Sequence, residues 1–265
     1  MMKVAAASCA CVDVFVDKKE LHPGGEALNF CGTACRYPDV QAYIIAAVGD
    51  DDNGRLIRER VRKTAIYPDF LRVIRGGVTA NHRIWNKHDG DRYFREDSWC
   101  GGVHDTFVLG AEEKRLLLSA DVVHTTVDSP VLRQILECRQ QRNFLLSVDF
   151  NEYRDFDAWE DFLSLVDVFF ISGAEDIFPR LSAWSERYHG VFAATLAARG
   201  SAAWQGGKEY RCGAVPVENP ADTTGAGDSY QAGFMVTFRR NRDIRRAMAE
   251  GSRMAAETIR RIGGF

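Results

Sequence analysis

The residues Asp222-Thr223-Thr224-Gly225-Ala226-Gly227-Asp228 combine a carboxylate with a nearly side-chain-free backbone. They lie between Pro220, which closes the extended run Val215-Pro216-Val217, and an apolar run from Tyr230 to Phe238, so they read as a turn that opens a helix. Gly225, Ala226 and Gly227 let a large group lie against their backbone, and the first-turn N–H groups of a helix form an anion site. Asp228 follows directly. Amides aimed at a developing negative charge, with a base beside them, suit transfer of a phosphoryl group onto a hydroxyl. Capping and tight packing are the plainer use of Gly and Thr at such a junction, and these residues alone leave both readings open.

Other stretches also carry groups suited to a ligand. Val4 to Val16 is an apolar run interrupted by Asp13 and reads as a first buried strand with a carboxylate at its end, where α/β sheets collect ligands. A strand-end Asp making a turn is the alternative. Pro23-Gly24-Gly25-Glu26-Ala27-Leu28-Asn29 leads into a helical run, and paired glycines before a helix let a substrate approach the backbone closely. Glu26 either favours the helix N-terminus through its charge or accepts a charge-assisted hydrogen bond from an ammonium. The cluster Asp50-Asp51-Asp52 reads as a helix start, because its spacing lacks the ligand set of a calcium loop.

The elements that must position these groups alternate from Ala120 onward. Strands at Asp121–Val127, Phe144–Phe150, Val166–Ser172 and Val191–Leu196 are separated by helices at Pro130–Gln141, near 157–164 and at Glu175–Tyr188. This pattern predicts a doubly wound, mostly parallel α/β sheet. Polar residues at the strand ends (Thr125, Thr126, Asp149, Ser172, Thr195) should line a crevice. Between Val78 and Asp97 the chain turns polar and aromatic around Asp89-Gly90, which signals a two-residue hairpin too polar for the interior of such a sheet.

With 265 residues and a net charge of −3, the chain can build one large core and exerts no general pull on nucleic acid or anionic membranes. No stretch approaches the roughly 18 apolar residues of a membrane span. The apolar start, Met1 to Ala7, runs into Asp13 and Asp17 too soon for a secretory signal. The 7 cysteines are scattered and lack paired CxxC spacing, so reduced thiols in a cytoplasmic protein are expected, not a metal site at Cys9/Cys11 or Cys31/Cys35.

The stretch 222–228 resembles the C-terminal signature of the ribokinase-like (PfkB) sugar kinases, and Gly24, Gly25 and Asn29 match that family's N-terminal signature. The resemblance runs from Lys3 to Phe265. It implies a single ribokinase-like α/β domain over 1–265, with a small β-sheet lid from parts of 12–22 and 75–97. There Trp85, Tyr93 and Phe94 would serve as lid core or substrate contacts. It further implies transfer of the γ-phosphoryl group of ATP to a primary hydroxyl of a small sugar, with Mg²⁺. It leaves room for a monovalent cation and for a homodimer joined through the lid.

In those terms Asp228 is the base, and Gly225, Ala226 and Gly227 hold the phosphoryl charge. Asp13, Gly24, Gly25, Glu26 and Asn29 hold the sugar. Ser172 to Glu175 is similar to an Asn-x-x-Glu element, with Ser172 in place of the Asn and Glu175 ordering Mg²⁺ through water. Thr195 to Gly200 is similar to a Thr-x-Gly-x-x-Gly turn beneath the nucleotide phosphates, with Ala197 replacing a Gly. Ser252 is a further nucleotide contact.

Glu26 stands where close relatives carry Asn, which points to a sugar–amine adduct of the fructoselysine type, phosphorylated at its 6-hydroxyl. Fructose, ribose, a keto-deoxy acid or a nucleoside are the alternatives. The departures at Glu26, Ser172 and Ala197 also admit a catalytically slow binding protein on the same fold, against which Asp228 speaks. The chain has no GxxxxGK[ST] loop and no GxGxxG after its first strand, so P-loop and dinucleotide-binding chemistry are disfavoured.

Overall fold

The computed structural model describes residues 1–86, 92–93, 95–142, 144–173 and 175–265. Strand β1 (Met2–Ala7) shows why strands here read as unbroken apolar runs. Its Val4 and Ala6 enter one core while Ala5 and Ala7 enter another, so both faces of the sheet are covered.

The chain continues through β2 (Cys11–Phe15), β3 (Glu20–Gly24), α1 (Glu26–Ala34), β4 (Val40–Gly49), α2 (Asp52–Arg62) and β5 (Leu71–Ile74). Then come β6 (Asn81–Asn86), β7 (Arg92–Tyr93), β8 (Trp99–Cys100), α3 (Ala111–Ser119), β9 (Val122–Thr126), α4 (Leu132–Gln141) and β10 (Leu145–Asp149). The remainder is β11 (Val168–Ser172), α5 (Phe178–Arg187), β12 (Val191–Thr195), β13 (Ser201–Gln205), β14 (Lys208–Cys212), α6 (Ala226–Asn241) and α7 (Ile244–Thr258).

A 9-stranded sheet runs in the order β14-β13-β12-β11-β10-β9-β1-β4-β5. It is parallel from β5 to β12, and β13 and β14 add an antiparallel edge. Helices α1, α6 and α7 cover one face and α3, α4 and α5 the other. The segment predicted as a helix near 157–164 is a 3-10 turn, and Glu175 opens a second 3-10 turn that passes into α5 at Pro179.

One expectation is corrected. Val4 to Val16 is not one strand: the chain leaves the large sheet after Ala7 and joins a second, smaller sheet at Cys11. Cys9 and Cys11 are buried with Ala80 at this crossing, so apolar residues continue through a change of sheet and conceal it. Asp13 therefore lies within β2 of the smaller sheet, opposite His22 of β3, and not at the end of a central strand.

The smaller sheet has the order β3-β2-β6-β7, with β8 on β6. Residues 75–80 precede its strands and β8 lies beyond 97. The hairpin read at Asp89-Gly90, and Phe94, lie outside the described residues. Trp85 is buried, with the Arg95 guanidinium 4.3 Å from its ring centroid. Asp51 caps α2 by accepting from the Gly54 N–H at 2.8 Å, and it also accepts from the Thr79 N–H at 2.8 Å, which ties the helix start to the strand entering the smaller sheet.

Candidate active site

Helix α6 begins at a residue in the left-handed region, Gly225 (φ 72°), where a Cβ would stand 2.6 Å from the Gly264 Cα. Only glycine meets both conditions. Two residues later the surroundings open: a Cβ on Gly227 would meet nothing within 4 Å. The first-turn N–H groups there have no helical carbonyl one turn earlier, so they remain available to an anion. Ala226 is the exception among the predicted amides. Its N–H is bonded to the Thr223 carbonyl at 3.3 Å, so it contributes less than its neighbours.

Helix α1 packs against the start of α6, with Thr33 Oγ1 2.9 Å from Ser229 Oγ. Asn29 donates through Nδ2 to Asp228 Oδ2 at 2.9 Å, which joins the two signature stretches. The paired glycines also have a packing role within the chain. A Cβ on Gly24 would lie 2.7 Å from Asp13 Oδ2, and one on Gly25 (φ 96°) would lie 2.6 Å from the Cys9 carbonyl oxygen. The close approach they permit is that of this chain's own β2 and of the crossing before it, which lets Ala27 N–H bond Cys9 O at 3.1 Å. The glycines thus seat α1, and Glu26 and Asn29 with it, beside Asp13.

Burial raises the carboxyl group of Asp228 to about 7, helped by the charges of Asp149 and Asp13 and opposed by the Asn29 hydrogen bond. That value suits a general base at neutral pH. Burial likewise raises Glu26 to about 8, with the charges of Asp228, Asp128 and Asp149 adding to it. Asp149, at the end of β10, is pushed to about 6 by burial although it accepts from Gln231 Nε2 at 2.6 Å and from the Asn151 N–H at 2.9 Å. None of these three shifts has a basic side chain among its causes. The site is acidic, its carboxyl groups raising one another.

The residues assigned to the nucleotide gather at the ends of β11 and β12. Ser172 Oγ and Thr195 Oγ1 lie 3.1 Å apart. Glu175 is half-exposed and pairs with Arg199 at 3.0 Å, an ion pair worth at most about 1 kcal/mol, so it is free to exchange partners. Gly200 (φ 88°) is required by packing, since a Cβ there would stand 2.1 Å from the Cys212 carbonyl oxygen. Ser252 is buried, and its Oγ lies 3.8 Å from the Cys212 sulfur.

Ala197 holds φ 52°, the left-handed region, at the position where the signature turn has Gly. Such a conformation costs a non-glycine residue roughly 1–2 kcal/mol, partly offset by the lower unfolded-state entropy of Ala. Ala197→Gly is therefore expected to leave the melting temperature unchanged or raise it by a few degrees. A thermal melt showing a drop of several degrees would remove the strain assignment.

Sequence reasoning noted Asp149 only as a polar strand end, and it overlooked Asp128 and Gly264. Asp128 had no local signal. The Gly-Gly-Phe stretch at 263–265 was a usable signal, being two glycines before a large apolar residue.

Comparison with known proteins identifies the family and the fold. The model of the pfkB family carbohydrate kinases matches residues 8–264. The chain is 29% identical over 268 residues to the fructoselysine 6-kinase of Shigella flexneri, covering 100% of each protein. It is 27% identical over 278 residues to the fructosamine kinase FrlD of Bacillus subtilis, covering 100% of this chain and 93% of that protein. The structure superposes on the Arabidopsis thaliana ribokinase complexed with ribose and ATP with a TM-score of 0.81 at 16% identity, covering 99% of this chain and 94% of the other, so the fold is that of ribokinase. Among the described residues no helix is long and apolar enough to cross a membrane.

Proposed function

The chain belongs to the pfkB family of carbohydrate kinases, and on that premise we propose that it transfers the γ-phosphoryl group of ATP to the 6-hydroxyl of a sugar–amine adduct of the fructoselysine type. The observation that carries the reading is the pairing of a catalytic carboxyl group, Asp228, with a second raised carboxyl group, Glu26, in one acidic cleft. That two relatives are a fructoselysine 6-kinase and a fructosamine kinase supports the same acceptor.

The residues present fit the nucleotide, because the backbone at Gly227 is open to a phosphoryl group. Among the described residues no group of three or more His, Cys, Asp or Glu could hold a metal ion. Mg²⁺ would be held by phosphate oxygens and water, with Glu175 reaching it through water. When bound, ATP supplies the phosphoryl group and Mg²⁺ offsets its charge. Asp228 accepts the proton that the acceptor hydroxyl loses, and the first-turn N–H groups of α6 stabilise the charge on the transferring group. Asp13 and Asn29 orient the sugar, and Ser172, Thr195 and Gly200 border the nucleotide. A homodimer through the lid, a monovalent-cation requirement and a cytoplasmic location belong to the same reading and rest on the resemblance.

Glu26 decides the acceptor. A fructosamine carries a secondary ammonium beside the sugar and fructose does not. With its carboxyl raised to about 8, Glu26 is largely protonated at pH 7 and ionises when an ammonium docks, so affinity for the amine substrate grows as pH rises toward 8. A charge-assisted hydrogen bond is worth roughly 1.5–3 kcal/mol, at about 1.4 kcal/mol per decade. Glu26→Gln is thus expected to cost fructoselysine about 10- to 100-fold in kcat/KM near pH 8 and less at pH 6.5, with fructose almost unchanged at both. A coupled assay over fructosamines, fructose, ribose, nucleosides and keto-deoxy acids, run on both proteins, tests this. Equal losses on fructoselysine and fructose would assign Glu26 to the helix terminus alone, and a stronger wild-type preference for another sugar would replace the acceptor.

A further inference from the structure

The segment after α7 folds back onto the catalytic turn. Gly263 N–H donates to Asp222 Oδ2 at 3.0 Å, at the start of the signature stretch. Gly264 then passes between the two signatures. Its Cα is the atom that a Cβ on Gly225 would strike, and a Cβ on Gly264 itself would stand 2.2 Å from Asn29 Oδ1. That oxygen is buried with no hydrogen-bond partner among the described residues, while the same amide's Nδ2 holds Asp228. Among the described residues no hydrogen bond orients the Oδ1 side of the Asn29 amide, and Gly264 packs against it.

Phe265 anchors this contact. Its ring is 8% exposed and is seated on α1 at Gly32, where a Cβ would come 2.4 Å from the ring. The Arg60 guanidinium of α2 lies 4.8 Å from the ring centroid and also bonds the Phe265 carbonyl oxygen. Aromatic burial of this kind is a strong anchor, because the ring loses many contacts if it moves.

We propose that Phe265 and Gly264 are positioning residues: the Phe265 ring, seated between Gly32 and Arg60, holds Gly264 as the wall that sets the Asn29 amide and the Gly225 peptide, and through them the Asp228 carboxylate and the phosphoryl site. The inference rests on Asp228 as the base. Removing the ring lets Gly264 withdraw, whereas adding a methyl group at Gly264 pushes the Asn29 amide from its place. Gly264 does not hold a positive φ, so an alanine meets no backbone strain there and acts only through that contact.

The test is steady-state kinetics of Phe265→Ala, Phe265→Leu and Gly264→Ala with ATP and the best acceptor of the sugar panel, with melting temperatures measured alongside. Misplacing a reacting group by about 1 Å costs on the order of 10²-fold, so Phe265→Ala and Gly264→Ala are expected to lower kcat roughly 10- to 100-fold while KM for ATP changes little. A hydrogen bond to the ionised form lowers a carboxyl pKa. The acid limb of the kcat–pH profile should therefore move upward in both variants, as it should in Asn29→Ala. Phe265→Leu should recover most of the rate, and Phe265→Ala should add little in an Asn29→Ala background. Gly264→Ala keeps the anchoring ring, so it tests the contact even where Phe265→Ala does not fold. Wild-type kcat and an unmoved acid limb in the folded variants, whatever their melting temperatures, would reduce Phe265 to a core residue. Asp228→Asn in the same assay separates the two ideas: if it alone is inactive, only the positioning role falls, and if it is active, the base assignment falls first.

Discussion

Asp228→Asn is expected to lower kcat by roughly 10² or more, the usual worth of a positioned base, with ATP affinity nearly unchanged. The asparagine can still accept from Asn29 Nδ2, so the turn keeps its shape while losing the group that takes the proton. The same variant should be more stable than the parent at alkaline pH. The carboxyl group rises from its ordinary 3.8 to about 7 in the folded state, so folding favours its protonated form. That stabilisation is complete below about pH 4 and is lost as pH rises through 7, where the native cleft must hold one more buried negative charge. An asparagine carries no such charge. Its melting temperature should exceed that of the parent by a few degrees at pH 8, with the gap narrowing as pH falls below 7 and closing only at about pH 4; about 1 kcal/mol corresponds to roughly 2–4 °C in a chain of this size. A loss in kcat of less than tenfold on a good acceptor would remove the base assignment. Unchanged melting curves at pH 8 would place Asp228 in a wetter setting than the structure does.

Gly227→Val is expected to be as damaging for a different reason. A Cβ at this point meets nothing within 4 Å, so the fold leaves room where the branch begins, and valine is a better helix former than glycine, so the helix itself is not weakened. Its methyl groups would fill the approach to the first-turn N–H groups of α6, the site proposed for the transferring phosphoryl group. Loss of one such donor is worth about 10²–10³ in kcat, so kcat/KM should fall by at least that much with little change in melting temperature. Circular dichroism and a thermal melt beside the coupled assay distinguish this from misfolding. Gly225 provides the contrast: a side chain there would strike Gly264 and hold a positive φ, so its replacement should act on stability first. A Gly227→Val protein with near-normal kcat would show that the phosphoryl group is held elsewhere.

The parts of the site that were legible in the sequence follow short-range rules. Small residues at a helix start, a carboxylate directly after them and apolar runs of strand length carry their meaning locally, and so the open helix start of α6, the carboxylate that follows it and the alternating βαβ order could all be read. Glycines were legible as sites of close approach, but not the partner approached: at Gly24 and Gly25 it is Asp13 and Cys9 of the same chain. The first apolar run misled for a related reason, since continuous burial across Cys9 and Cys11 looks the same in sequence whether a strand goes on or changes sheet.

By itself, then, the sequence determined the family, the parallel α/β order and the two signature stretches, because each depends on residues that are neighbours in the chain. Only the tertiary structure decided that Asn29 holds Asp228 from 199 positions away, and that Gly264 and Phe265 pack behind that pair. It also decided the protonation of the cleft. A carboxyl group moves to about 7 or 8 through lost hydration and the charges of residues remote in sequence, Asp13, Asp128 and Asp149 among them, and both effects depend on distance through space, which folding alone sets.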